Sequence, residues 1–221
     1  MKANISEIFK SIQGEGIYQG ASQIFIRFSG CNLECTFCDT LSKHQEEISL
    51  QELLNQLDRF SGYHSISLTG GEPLLQIDFL IELAHELKER GILIYLETNG
   101  TLPENLMKII DCLDIISMDF KLPSSTGLKP FWKEHYDFLK IAVNKNVFIK
   151  AVVGPQTICD DINQAIKIIK QVDKKLLLVL QPQNPFELSL NQKLLILKNI
   201  CTKHSINVKI THQMHKTLGI K

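Results

Sequence analysis

The sequence predicts a single-domain α/β protein, and three observations carry that prediction. Short apolar runs of strand length alternate with longer runs of helical periodicity, Gly or Pro turns stand at many changeovers, and polar residues recur just past the strands. The 221 residues, 44% of them hydrophobic and 22% charged, suffice for one large core.

In chain order, residues 23–28 read as a strand before a cysteine loop, and residues 50–59 as a helix. Residues 65–68 form the next strand, followed by a glycine turn and a helix over 78–90. Residues 92–96 are a strand that leaves through Thr98-Asn99-Gly100, with a helix starting near Pro103. Strand 115–118, helix 132–144, strand 147–153, helix 158–169, strand 176–180 and helix 189–204 follow, with a short strand near Val208. Residues 9–16, by contrast, read as a flexible polar turn.

Helices between successive strands demand parallel crossovers. An open doubly wound sheet and a partial β/α barrel both satisfy the rhythm, and both place functional loops at the C-terminal strand ends. Gly70, Glu72, Thr98, Asn99, Asp119 and Gln181 all stand there, which describes one catalytic rim.

Lys plus Arg equal Asp plus Glu at 24 each, so no bulk positive field argues for direct nucleic-acid binding. Residues 1–10 lack the apolar run of a secretory signal, and no run approaches the ~18 apolar residues of a membrane span. The expectation is a cytoplasmic protein with no membrane contact, a setting that keeps thiols reduced.

Cys31, Cys35 and Cys38 fall within eight residues, and soft thiolates at that spacing suit an iron–sulfur cluster. A closed zinc site needs four Cys or His ligands, and His44 nearby reads as a surface residue. Three ligands leave one iron of a four-iron cluster open, the expected place of reaction. Cys112, Cys159 and Cys201 read as buried structural thiols.

Other polar turns add to the rim. In Thr69-Gly70-Gly71-Glu72-Pro73 the glycines admit close backbone approach and the proline restrains the exit. Ser117, Asp119 and Lys121 alternate, so they share one strand face. Gln13 and Glu15 offer donors and acceptors to a fused ring, and the Arg27 guanidinium fits a carboxylate.

Cys31-x-x-x-Cys35-x-x-Cys38, with Phe37 before its last cysteine, resembles the cluster loop of radical S-adenosylmethionine enzymes, and the Gly-Gly-Glu-Pro turn strengthens the likeness. Residues 11–16, Arg27, the run from Gly30 to Thr40 and the terminal His212-Gln213-x-His215-Lys216 together resemble the 7-carboxy-7-deazaguanine synthase family. That resemblance covers nearly the whole chain. A different radical enzyme, such as an activase acting on another protein, and a metal-binding module without catalysis are the alternatives.

The resemblance implies a partial β/α barrel of the radical S-adenosylmethionine type, with residues 1–221 as one catalytic domain bearing substrate-side segments at both ends. It implies a [4Fe-4S] cluster on Cys31, Cys35 and Cys38, and S-adenosylmethionine held first by Phe37 and by a methionine clamp of Gly70, Gly71 and Glu72. Thr98, Asn99, Ser117, Asp119 and Lys121 complete that cofactor set. Gln13, Gly14, Glu15, Gly16, Arg27 and His215 form the substrate set.

The implied reaction is that of a lyase: 6-carboxy-5,6,7,8-tetrahydropterin contracts to 7-carboxy-7-deazaguanine and ammonia after a 5′-deoxyadenosyl radical removes hydrogen from C6. Hydrogen return regenerates S-adenosylmethionine, and no side chain is singled out as catalytic. Mg²⁺ is implied at the Thr40 hydroxyl, a hard oxygen donor, while Asp39 stabilises the loop. A homodimer, an external electron donor and a place in the pathway toward 7-deazapurines such as queuosine are implied in the same way. The stretch Thr211-His212-Gln213-Met214 departs from the family's commoner proline-containing approach to the terminal loop.

Overall fold

The computed structural model describes residues 1–38 and 45–220, so the expectations placed on Asp39, Thr40 and His44 lie outside the described residues. Three strands, β1 (Lys2–Ile12), β2 (Ser22–Phe28) and β3 (Glu46–Ser49), precede helix α1 (Leu50–Leu57). Strand and helix then alternate as β4 (Ser65–Gly70), α2 (Ile77–Glu89), β5 (Ile94–Thr98), α3 (Pro103–Ile109) and β6 (Ile115–Asp119). The short α4 (Pro123–Thr126) and then α5 (Trp132–Ala142) lead to β7 (Asn146–Val153), α6 (Cys159–Val172) and β8 (Leu177–Pro182). The chain closes with α7 (Leu190–Lys203), β9 (Asn207–Ile210) and α8 (Met214–Leu218).

Among the described residues nine strands form one sheet in the order β3-β1-β2-β4-β5-β6-β7-β8-β9. The β1 strand is antiparallel to β2 and β3, while every neighbouring pair from β2 to β9 is parallel. Within the parallel part the order rises from β2 to β9 without reversal, so that part has no switch point of the kind a doubly wound sheet requires. Crossovers that keep one hand and advance one strand at a time lay the crossover helices on the same face, which curls the sheet into a partial barrel.

Strand alternation explains what each face carries. Ile66, Leu68, Ile94, Leu96, Ile116, Met118, Ile149, Ala151, Leu178 and Leu180 point to the helices and share a core with Leu53 of α1, Leu83 of α2, Leu106 of α3 and Phe138 of α5. Their intervening residues face inward. At the N-terminal end these are apolar, where Tyr95, Ile115, Phe148 and Val179 form a small second cluster. Toward the C-terminal strand ends the inner residues turn polar, and that is where the site lies.

The expected strands and helices are present within a few residues of their predicted ends, and four elements were not expected. Residues 9–12 are not part of a flexible turn: they end β1, with Phe9 opposite Phe25 and Ile12 opposite Ser22. The irregular register between Ile5 and Glu7 obscures the period-two pattern of this strand. The β3, α4 and α8 elements are four or five residues long, too short to display a period. Cys112 and Cys201 are buried as expected, but Cys159 is exposed because it opens α6 on the solvent side.

A reciprocal cap starts α1: the Ser49 hydroxyl accepts from the Glu52 amide at 3.3 Å and the Glu52 carboxylate accepts from the Ser49 amide at 2.9 Å. Among the described residues no helix is long and apolar enough to cross a membrane. Leu83 is fully buried between α2 and the sheet. Leu83→Ala should therefore cost about 2–5 kcal/mol, seen as a lower urea midpoint with an unchanged slope.

Candidate active site

A cavity of about 640 Å³ opens at the C-terminal strand ends. Its rim is the cysteine loop after β2, and its floor is the polar inner face of β4 to β8. Two lysines and three carboxylates meet on that floor. Lys150 of β7 pairs with Glu15 in a short contact and lies 3.2 Å from Asp119, while Lys121 reaches Asp119 at 2.7 Å. Glu97 of β5 accepts from Gln13 Nε2 and Thr69 Oγ1, each at 2.8 Å.

Burial alone would raise the Glu15 carboxyl. The Lys150 charge and hydrogen bond outweigh it, with help from the Gln213 amide, and hold Glu15 down at about 2. Burial would likewise lower Lys150, but Asp119, Glu15 and Glu97 around it push it well above its ordinary value. Glu97 rises, from burial first, with the nearby Glu15 charge adding to the rise against the pull of Lys150.

The rim is assembled by backbone contacts. The Gly71 amide donates to Phe28 O and the Glu72 amide to Gly30 O, both at 2.9 Å, which presses the glycine turn onto the start of the cysteine loop. A Cβ on Gly71 would lie 1.9 Å from Gly30 O, so only glycine permits this approach. Asn99 Nδ2 reaches Asn32 Oδ1 at 2.8 Å and lies 3.9 Å from Cys31 Sγ. On the far side of the loop, Thr36 N donates to Thr126 O at 3.0 Å.

Cys31, Cys35 and Cys38 all line the cavity and carry free thiols. Burial raises Cys31 and Cys35 above the usual thiol range, while the Lys121 cation pulls each back. Three soft donors with a cation beside them fit an iron–sulfur cluster. Among the described residues no three Cys, His, Asp or Glu side chains are gathered around a single ion position.

The expected residues divide into two layers. Glu15, Phe37, Gly70, Gly71, Thr98, Asn99, Asp119 and Lys121 line the cavity with the cysteines. Gln13, Gly14, Gly16, Arg27, Glu72, Ser117 and His215 are not among the lining residues.

Glu72 departs most from expectation. It is fully buried, and its carboxylate accepts from Asn99 N at 2.7 Å, Thr98 Oγ1 at 2.9 Å and Leu74 N at 3.1 Å. Burial pushes it up to about 7 in spite of those donors. The side chain is thereby occupied in tying the glycine turn to the β5 exit. Gln13 lies one layer below the cavity, bonded to Glu97 and, at 3.0 Å, to Gln23. Ser117 is buried and bonds Tyr95.

The two chain ends meet over this floor. Met214 N donates to Gly14 O at 2.8 Å and Gln213 Nε2 to Glu15 Oε1 at 2.5 Å. A Cβ on Gly14 would strike the His215 ring, at 2.0 Å from Nδ1. Arg27 lies on the inner face of β2 with its guanidinium 5.4 Å from the Phe9 ring centroid. Among the described residues Gln181 Oε1, which lines the cavity, is buried without a hydrogen-bond partner, and so are Arg27 Nε and Ser67 Oγ, which do not line it.

Lys150 was absent from the expected site, while Glu97, Thr69 and Gln213 stood in its motifs but outside the expected cofactor and substrate sets. A lysine inside the otherwise apolar run Val147-Phe148-Ile149-Lys150-Ala151-Val152-Val153 was the signal for the first, since an unpaired charge would not stand in a buried strand.

A partial barrel with three free thiols at its C-terminal rim has the build of a radical S-adenosylmethionine enzyme, and residues 25–172 match the family model described as the Radical SAM superfamily. Over 244 residues the chain is 36% identical to the 7-carboxy-7-deazaguanine synthase of Geobacter sulfurreducens, covering 98% of this chain and 97% of that one. It is 35% identical to the protein of the same name from Methanothermobacter thermautotrophicus over 249 residues, covering 100% and 99%. The chain belongs to the 7-carboxy-7-deazaguanine synthase family. The crystal structure of QueE from Escherichia coli shares the fold with a TM-score of 0.66 at 20% identity, covering 95% of this chain and 94% of that one.

The ion pairs fix a pH response. Glu15 sits below its unfolded value, so its contribution to stability is complete above about pH 4.5 and is lost as pH falls through about 2. Lys150→Met should remove that contribution and leave buried carboxylates unpaired, lowering stability at pH 7 by about 3–5 kcal/mol. Denaturant titrations of both proteins from pH 3 to 7 measure this; equal stability at pH 7 would contradict the pairing.

Proposed function

We propose that the chain rearranges 6-carboxy-5,6,7,8-tetrahydropterin to 7-carboxy-7-deazaguanine with loss of ammonia. The observation that carries this reading is similarity to 7-carboxy-7-deazaguanine synthases along the whole chain, joined to one cavity that holds three free thiols at its rim and paired charges on its floor. The chain acts as one catalytic domain whose two ends both face the substrate, in keeping with the Gly14 to Met214 contact.

Cys31, Cys35 and Cys38 hold a [4Fe-4S] cluster, which together with bound S-adenosylmethionine supplies the radical that abstracts hydrogen from the substrate. The Gly70–Gly71 backbone serves the methionine end of the cofactor, and Thr98, Asn99, Asp119 and Lys121 border the space for its nucleoside end. Glu72 acts through those two turns and not by contact.

Glu15 stays ionised under the Lys150 charge and accepts N–H groups of the substrate ring. Glu97, its carboxylate held by Gln13 and Thr69, serves the same edge as an acceptor. Arg27 binds the substrate carboxylate through its unpartnered Nε. The terminal segment with Gln213 and His215 closes over this region and excludes water, which strengthens each of these contacts. Thr40, with substrate oxygen and water, supplies hard donors to Mg²⁺. The protein acts as a homodimer and takes its electron from an external donor.

Two measurements test the reading. Anaerobic protein with a reconstituted cluster, Mg²⁺, reductant and authentic substrate should yield the ring-contracted product and carry substrate hydrogen into S-adenosylmethionine; neither would occur if the assignment were wrong. Cys35→Ala should lose both cluster iron and detectable turnover, whereas full iron loading with retained turnover would remove Cys35 from the ligand set.

A further inference from the structure

Two cavity-lining strand exits, Thr98-Asn99-Gly100 after β5 and Asp119-Phe120-Lys121 after β6, meet behind the site at His135 of α5. This ring is fully buried. It stacks on Phe120 with centroids 4.9 Å apart and planes 4° from parallel, and Trp132 approaches it edge-on at 6.2 Å. Nε2 lies 3.2 Å from the Asn99 carbonyl oxygen and 3.4 Å from the Lys121 backbone nitrogen. The Asn99 carbonyl can only accept and the Lys121 amide can only donate, so Nε2 cannot bond both at once; in the tautomer with the proton on Nε2 the ring donates to Asn99, the shorter contact, and only packs against the Lys121 amide. Burial pushes the ring down to about 3, which keeps it neutral.

Packing alone does not call for histidine here. Phe120, Trp132 and Phe131 surround the ring, and an apolar side chain of similar volume would fill that space. A polar ring in aromatic surroundings is stabilised by the hydrogen bond it makes, and this bond falls on a residue of the rim. Asn99 in turn holds Asn32 of the cysteine loop through its side-chain amide. His135 therefore stands one hydrogen bond behind Asn99, and its stacking partner Phe120 lies between Asp119 and Lys121.

We infer that His135 is a positioning residue for S-adenosylmethionine: its bond to the Asn99 carbonyl and its stacking on Phe120 set the spacing of the β5 and β6 exits that border the nucleoside end of the cofactor site. The inference rests on the proposed use of S-adenosylmethionine and adds to it a residue that does not touch the cavity.

Equilibrium binding of S-adenosylmethionine to the cluster-loaded protein tests it, alongside iron content, melting temperature and KM for the pterin substrate. His135→Phe and His135→Met keep the volume and remove the donor, and each should weaken cofactor binding about tenfold with iron content and pterin KM unchanged. His135→Gln places an amide N–H at a similar reach and should stay within about threefold of wild type. Should His135→Phe fail to fold, the contrast between Met and Gln decides. Wild-type affinity in all three variants, or equal weakening in Gln and Met, would overturn the inference. Failure of the wild-type protein to bind S-adenosylmethionine would instead overturn the functional reading on which it stands.

Discussion

Charge on the inner face of a parallel sheet is tolerable only where each group finds a partner, and Lys150 is the residue through which this barrel meets that constraint. It lies against Glu15 from the N-terminal turn and Asp119 from β6, in the field of Glu97 from β5. Removing it would leave carboxylates buried without compensation, a more severe disturbance than never having placed them there. The N-terminal turn, the inner strand face and, through Gln213, the terminal segment are thus organised around one cation. A polar substrate entering this floor meets groups whose charges and directions are already set, so little reorganisation is left for the moment of binding.

The rim is held by different means. Its loops follow three separate strands, and they are joined by the Glu72 carboxylate, the Asn99 amide and the close backbone approach at Gly71. Each joint uses a group that sequence inspection assigns to ligand binding. In the folded chain these groups spend hydrogen-bonding capacity on one another, and the thiols are presented by a loop that the neighbouring turns brace. A short cysteine motif has no means to hold its own shape, which is why the turns after β4 and β5 belong to the same site.

Much of the fold was legible because helix and strand impose different periods on apolar residues. From β4 to α7 each element except α4 has enough residues to display its period, and the glycine and proline turns mark the ends. The first strand was not legible: the irregularity between Ile5 and Glu7 and the polar residues Lys10 and Ser11 break the alternation that its pairing with β2 restores. Periodicity alone left the choice between a doubly wound sheet and a partial barrel open, since both use the same succession of elements; the family resemblance implied the barrel. Strand order, set by the direction of each crossover, made that choice.

The sequence alone determined which chemistry the chain carries, because ligand softness and spacing are local properties: Cys31, Cys35 and Cys38 lie close along the chain, and no fold is needed to bring them together. The tertiary structure alone decided which polar residues touch the cavity and which support it. Glu72 looks like a clamp in its turn and proves to be buried behind it, Lys150 looks like an interruption in an apolar strand and proves to be the counterion of the site, and His135 carries no mark in its helix at all. The reason is physical: the worth of a charge or a hydrogen-bonding group depends on what lies within a few ångströms of it, and those neighbours come from strands far apart in the chain.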